Sequence, residues 1–367
     1  MDDWAGRASA GHAREIELLL ACARTRHDEG LATRMAELLR AGLDWDALMQ
    51  LAMRHKLVPL LYWHLSLLGA DAAPAKFMAL ARVRCVAIAA RNCRLTDELL
   101  AATRRLAGAG VPSLVFKGPA LAAMLYHDPA LRVSSDLDIL VRRRDLALAL
   151  AALAAHGYRQ VFRHSRMFEA LARPFRHATN LVSADLQAPI DLHWKLSQSY
   201  FAFALRGERI WRRLAPVRVG GELRQTLAPE ALLIVLCMHG GRHCWLRLAW
   251  LCDLAEFLRT YPQLDWPAVL AEARALHSSR LLLLGLWLAH TLLGAELPVA
   301  VRRAAADPAV VRLAEQVRAW LYAGVAEPTA SEQARFYLAT RERWVDRALF
   351  APELARIMVV GLRRHAT

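Results

Sequence analysis

The chain has 367 residues, 56% of them hydrophobic and 22% charged, with 18 Gly and 15 Pro. That composition excludes a disordered or collagen-like polypeptide and suffices for two or three packed units. The 48 basic and 34 acidic residues give a formal net charge of +14, which favours anionic partners in general; yet 44 of the basic residues are Arg and 4 are Lys, a skew that reads as genomic base bias and names no partner. It makes each lysine (Lys56, Lys76, Lys117 and Lys195) worth following.

Six cysteines, at 22, 85, 93, 237, 244 and 252, form no Cys-x-x-Cys pair, so reduced core thiols are expected rather than disulfides or a zinc knuckle. The longest apolar stretch, Leu281 to Gly294, is interrupted by His290 and falls short of the roughly 20 residues of a membrane span. It reads as a buried core helix. Met1-Asp2-Asp3-Trp4 offers no basic segment before an apolar block, so the expected location is cytoplasmic.

In chain order, Ala10 to Arg105 is helical in pattern, with apolar residues such as Ile16, Leu19, Leu20 and Leu48, Leu51, Ala52 spaced by three and four. Asp44 is expected to cap a helix that Pro59 stops. Gly108-Ala109-Gly110-Val111-Pro112 then introduces a short strand at Ser113–Phe116. A helix over Pro119–Tyr126 follows, with Pro in the first turn. A second strand is expected at Leu137–Val141, a helix at Asp145–His156 ended by Gly157, and strands at Tyr158–Phe162, Ala178–Ser183 and Ile190–Trp194. Gly220-Gly221 marks a hairpin between 217–219 and 222–224. Helices return near 229–239, 246–260, 266–277, 280–293, 309–324 and 334–363. The expected organisation is therefore an N-terminal helical unit (1–107), an α/β domain (108–228) and a C-terminal helical unit (229–367), an α+β fold with flanking helices. Leu43-Asp44-Trp45 is echoed by Leu264-Asp265-Trp266, a similarity that coincidence explains about as well in an Ala/Leu-rich chain.

The chemistry concentrates in Arg132-Val133-Ser134-Ser135-Asp136-Leu137-Asp138-Ile139-Leu140-Val141. On a strand, residues two apart share a face, so Asp136 and Asp138 project together while Leu137, Ile139 and Val141 pack behind. Two like charges side by side repel unless a cation sits between them, and hard carboxylate oxygens suit Mg²⁺ or Mn²⁺. In Pro189-Ile190-Asp191-Leu192-His193-Trp194, Asp191 and His193 share one face, and on a neighbouring strand Asp191 would complete a three-carboxylate cluster. Such a cluster can hold two metals roughly 4 Å apart for phosphoryl displacement. Lys117-Gly118 stands where a strand becomes a helix, so backbone N–H groups, the small glycine and the lysine charge suit phosphate.

Val115-Phe116-Lys117-Gly118, Leu121, Leu125-Tyr126, Asp128-Pro129, Leu131-Arg132, Ser135-Asp136-Leu137-Asp138-Ile139-Leu140-Val141, Gly157-Tyr158 and Ile190-Asp191-Leu192-His193-Trp194 together resemble the uncharacterised bacterial nucleotidyltransferase-like family of the polymerase β superfamily. His239-Gly240-Gly241-Arg242-His243, with Trp245, Leu248, Trp250 and Asp253, is similar to the helical region that follows in that family. The resemblance implies a mixed palm-like sheet, Asp136 and Asp138 as ligands to Mg²⁺ or Mn²⁺, and Asp191 as a third ligand that also helps deprotonate the acceptor. It implies NTP as donor and pyrophosphate as leaving group. Where the broader superfamily has Gly-Ser ahead of the Asp pair, this chain has Lys117-Gly118-Pro119; Arg132 and Ser135 are candidates to assist the triphosphate contacts. Members occur in bacterial biosynthetic loci, which implies a small-molecule, sugar or peptide acceptor.

Cys237, His239, His243 and Cys244 invite zinc, but structural sites space their ligands as separated pairs and Gly240-Gly241 reads as a break in the helix. A pocket-lining role is the better reading, with His193, Lys195, His239, Arg242 and His243 as candidates for the substrate pocket. Trp245 and Trp250 read as helix packing rather than base stacking. The basic amphipathic segment Arg356–Arg364 suits either peripheral membrane contact or docking. Two alternatives to the catalytic reading are a non-catalytic binding or scaffold protein on the same fold and an RNA-directed nucleotidyltransferase that uses the arginine surplus.

Overall fold

The computed structural model describes residues 12–161, 177–183, 189–196, 208–324, 327–351 and 354. The fold is mixed α+β, as expected. The helices are α1 (Ala13–Cys22), α2 (Glu29–Arg40), α3 (Trp45–Arg54), α4 (Val58–Leu68), α5 (Ala75–Gly108), α6 (Gly118–Leu125), α7 (Leu146–Ala154), α8 (Glu208–Arg212), α9 (Pro229–Arg242), α10 (Leu248–Thr260), α11 (Trp266–Ala275), α12 (Ser279–Leu293), α13 (Val299–Ala305), α14 (Pro308–Tyr322), α15 (Ala330–Thr340) and α16 (Trp344–Leu349). The strands are β1 (Ser113–Val115), β2 (Leu137–Val141), β3 (Tyr158–Gln160), β4 (Ala178–Ser183), β5 (Ile190–His193), β6 (Leu214–Val219) and β7 (Glu222–Leu227).

By compactness the chain divides into two units. One comprises residues 1–88, 130–133 and 233–367; the other comprises 89–129 and 134–232. The first is helical: α1 packs with α2, α3 and α4 and also with α12 and α14, so helices from both ends of the chain share this unit. The second contains a five-stranded sheet in the order β1-β2-β5-β4-β3 and the separate β6-β7 hairpin. Only β2 and β5 run parallel; the other neighbours in the larger sheet are antiparallel. Leu137, Ile139, Val141, Ile190 and Leu192 are buried in one apolar cluster with Leu95, Leu99 and Leu106 of α5 and Ala149 and Leu153 of α7. That burial fixes register, because a one-residue slip would turn the apolar set out and the polar set in.

Several sequence expectations are corrected. Pro59 does not stop α3: that helix ends at Arg54, Lys56 takes a left-handed φ of 57°, and Pro59 sits in the first turn of α4, where its missing N–H costs nothing. Gly240-Gly241 does not break a helix, since α9 runs through both. A β-carbon on Gly240 would lie 2.3 Å from the Trp245 ring, and one on Gly285 2.9 Å from it, so these glycines make room for a fully buried tryptophan. The expected helix 334–363 is interrupted at Arg341–Arg343 between α15 and α16, and α13 was not anticipated. Four cysteines are buried, Cys85 is half-buried and Cys93 is exposed, and none of the six is in a disulfide. Phe162 and the Arg356–Arg364 segment lie outside the described residues. Among the described residues no helix is long and apolar enough to cross a membrane.

Candidate active site

The parallel pairing of β2 with β5 sets Asp138 directly opposite Asp191 and Leu140 opposite His193. Paired residues share a sheet face, and alternation places Asp138, Asp191 and His193 together on the face opposite the apolar cluster. One ligand atom from each of these three lies within 4.8 Å of the others, and no other group of this kind occurs among the described residues. Cys237, His239, His243 and Cys244 therefore form no such cluster.

Asp138 is 2% exposed. Its Oδ1 accepts from the Lys117 ammonium at 2.8 Å and from His193 Nε2 at 3.0 Å. Its Oδ2 is buried with no hydrogen-bond partner among the described residues. A carboxylate can only accept, so Nε2 of His193 carries the proton, and Nδ1 is likewise buried without a partner. Burial alone would push the Asp138 carboxyl up, but the Lys117 charge and the His193 hydrogen bond overcome it and hold the group well below the usual carboxylate range. Asp191 behaves oppositely: burial first, then the Asp138 and Asp136 charges, push its carboxyl up against the smaller pull of His193 and Lys117. Asn180, opposite Asp191 on β4, donates an amide hydrogen bond to Asp191 Oδ1.

Asp136 precedes β2 and is not among the three clustered ligands. It is half-buried, accepts from the Ser135 hydroxyl at 3.1 Å, and its charge is felt by Asp191. The Ser135 carbonyl in turn accepts from Arg91 Nη2 at 3.1 Å. Lys117 is the N-cap of α6, and Gly118 takes a left-handed φ of 56°. A β-carbon on Gly118 would meet the Asp136 carbonyl oxygen at 2.6 Å, so the glycine lets the β1–α6 turn lie against the segment entering β2.

Arg132 commits Nε and Nη2 to the two oxygens of Asp253, at 2.8 and 2.9 Å, a bidentate pair of fork geometry. The N–H of Lys195 donates to the His177 carbonyl at 3.2 Å. His239, His243 and Trp250 form a ring cluster in the helical unit: His243 stacks on Trp250 at 5.0 Å between centroids, and Arg247 lies over the same indole. The Arg242 carbonyl accepts from the Tyr337 hydroxyl. Two cavities of about 650 and 670 Å³ occur in the helical unit, and none of the residues expected to form the site lines either one.

The sequence pattern marks both carboxylates of the cluster, points His193 only to the substrate pocket, and does not mark Asn180. Asn180 carries no local signal, because its place opposite Asp191 comes from the β4–β5 register.

The residues present suit a hard divalent cation: two carboxylates, one with a buried oxygen left open, and an imidazole alongside. No curated protein shows a significant match to this chain. An antigenic nucleotidyltransferase-like protein from Paracoccidioides brasiliensis is similar in its crystal structure at 13% identity, covering 58% of this chain and 96% of that chain with a TM-score of 0.33. A family model described as uncharacterised nucleotidyltransferase matches residues 41–294, a span that holds the sheet, the paired aspartates, Lys117-Gly118 and the His239–Trp250 region, and the chain therefore belongs to that family.

Proposed function

We propose that the protein is a metal-dependent nucleotidyltransferase that moves a nucleotidyl group from an NTP to a hydroxyl or phosphate of a small-molecule, sugar or peptide acceptor in a biosynthetic pathway, in the cytoplasm. The observation that carries this reading is the in-register pair Asp138 and Asp191, with His193 beside it and a buried Asp138 oxygen left open. Asp138, Asp191 and His193, with Asp136 at the entrance to β2, would hold Mg²⁺ or Mn²⁺. When bound, such an ion supplies charge neutralisation to the phosphoryl oxygens.

The remaining roles belong to the chain. The acceptor oxygen attacks the α-phosphorus, a new P–O bond forms as the bond to pyrophosphate breaks, and pyrophosphate leaves with that electron pair. The acceptor proton passes to Asp191, the carboxylate that stands beside Asp138 in the cluster. Lys117, Gly118 and Ser135 border the carboxylates and supply charge and backbone approach for phosphate oxygens. Arg132 is already paired with Asp253, which favours a positioning role over direct phosphate contact. His193 lies within the cluster, and Lys195 is proposed as a contributor to acceptor binding.

The contact between Lys117 and Asp138 favours a second reading, a non-catalytic binding protein in which an internal ion pair has closed the site. Labelled NTPs incubated with Mg²⁺ and wild type, Asp136→Ala, Asp138→Ala or Asp191→Ala separate the two. The catalytic reading requires consumption by the wild type and a loss of at least about 100-fold in the Asp138 and Asp191 variants. Equal signals from all four proteins would establish the binding protein instead.

A further inference from the structure

We infer that Lys117 gates the carboxylate site: its ammonium and a divalent cation compete for Asp138, so that binding of the ion releases the lysine to face an incoming phosphate anion. The inference rests on the metal-dependent reading above.

The geometry of the sheet unit carries it. Asp138 Oδ1 is the acceptor for both Lys117 and His193, so an ion drawing on that oxygen and on His193 must displace existing donors. Asp191 offers the second carboxylate within 4.8 Å, and a dication held by this cluster would share it with an ammonium that stands 2.8 Å from Asp138 Oδ1. In a site where Asp138 is 2% exposed, water screens that repulsion poorly. The lysine can leave: its side chain is 15% exposed, and four methylenes joined by single bonds let the head swing to solvent while the stem stays packed. The backbone remains anchored where β1 turns into α6, so the released charge stays next to the carboxylates. The order that follows is ion first, nucleotide second.

The scarcity of lysine makes the test clean, since the chain has only Lys56, Lys76, Lys117 and Lys195. Reductive methylation with formaldehyde and dimethylamine–borane, read residue by residue by mass spectrometry, reports how free each ammonium is, and exposed Lys76 serves as internal reference. Without divalent ion, Lys117 should react at least ten times more slowly than Lys76. Saturating MgCl₂, compared with NaCl at equal ionic strength, should raise the Lys117 rate at least fivefold and leave Lys76 unchanged. Asp138→Asn should free Lys117 without Mg²⁺, and Lys117→Met should bind Mn²⁺ at least ten times more tightly by electron paramagnetic resonance. An unchanged Lys117 rate while calorimetry shows Mg²⁺ bound would overturn the gate and leave the metal site standing, the ion then using Oδ2 with the lysine in place. Absence of both Mg²⁺ and Mn²⁺ binding in calorimetry would remove the metal-dependent reading and the gate together. Should the Met variant fail to fold, the labelling of wild type decides alone.

Discussion

Gly118 is packed against the backbone carbonyl of Asp136 so closely that a methyl group in place of its hydrogen would stand 2.6 Å from the oxygen. The glycine also has φ +56°, a region that costs a non-glycine residue about 1–2 kcal/mol. Neither atom in the clash is the end of a flexible side chain, so relief requires moving β2 or the start of α6. Gly118→Ala should lower stability by at least about 2 kcal/mol and, under the proposed function, abolish NTP turnover. Gly110→Ala, where φ is +72° but the space is open, should cost about 1 kcal/mol and leave turnover intact. Urea denaturation of the two variants beside a turnover assay checks both halves, and equal effects would show that strain alone governs Gly118.

Much of this site was legible because strand alternation is a local property. Asp136-Leu137-Asp138-Ile139 and Ile190-Asp191-Leu192-His193 each declare which residues share a face, and turn residues declared where the strands begin. What a single strand cannot declare is its neighbour. The β4–β5 register brings Asn180 to Asp191, and the β2–β5 register makes His193 part of the carboxylate cluster. Reach across space decides the role of Lys117, whose ion pair with Asp138 spans a helix start and a strand. The echo between Leu43-Asp44-Trp45 and Leu264-Asp265-Trp266 has a plain local meaning: Asp44 and Asp265 each cap a ten-residue helix by accepting an N–H three residues on, and both helices are followed by a left-handed residue, Lys56 or His277. Gly240 has the sequence look of a helix breaker, and only the tryptophan that fills the space beside it explains a glycine within α9.

That tryptophan gives the next prediction. Ala is favoured over Gly inside a helix by roughly 1 kcal/mol, so by propensity Gly240→Ala should stabilise α9. Packing reverses the sign, because the added methyl would sit 2.3 Å from the Trp245 ring and that ring, fully buried at φ 53°, has no free direction. A net loss of about 2 kcal/mol or more is expected in urea denaturation. Trp245→Leu in the Gly240→Ala background should cost less than Trp245→Leu alone; additive losses would show that the two residues do not compete for the same space.

Acid should weaken the helical unit through two buried histidines. His64 donates from Nε2 to the Arg24 carbonyl and accepts at Nδ1 from His27, both at 2.9 Å. Burial pushes His64 down to about 4, against the pull of the Arg24 carbonyl, and pushes His55 down to about 3, with Arg54 and Arg247 adding to the shift. Unfolding frees both to titrate near 6.5. The unfolded chain therefore binds more protons, and stability is full above pH 6.5 and falls as pH drops towards the folded values. Between pH 7 and pH 5 each histidine should account for about 2 kcal/mol of lost stability. Urea midpoints at the two pH values, measured for wild type and His64→Gln, check this; a His64→Gln protein whose pH dependence matched wild type would exclude His64 as a source.

Asn180 supplies the hydrogen bond that favours the charged form of Asp191 against burial and the Asp138 charge. Asn180→Leu removes the donor with little change in volume, so Asp191 should hold its proton to still higher pH and present a less available carboxylate. With Asp191 as a proposed metal ligand, loss of its outer partner should weaken metal affinity by about 10- to 100-fold. The expected result is Mn²⁺ binding weakened to that extent in calorimetry at pH 6, with the deficit shrinking as pH rises and Asp191 ionises. Asn180→Asp places a second carboxylate beside Asp191 and should shift the Asp191 titration upward further still, deepening the loss at pH 6. Thermal denaturation of both variants separates loss of the hydrogen bond from loss of the sheet. A folded Asn180→Leu protein that binds Mn²⁺ as wild type does would show that Asp191 needs no help from β4.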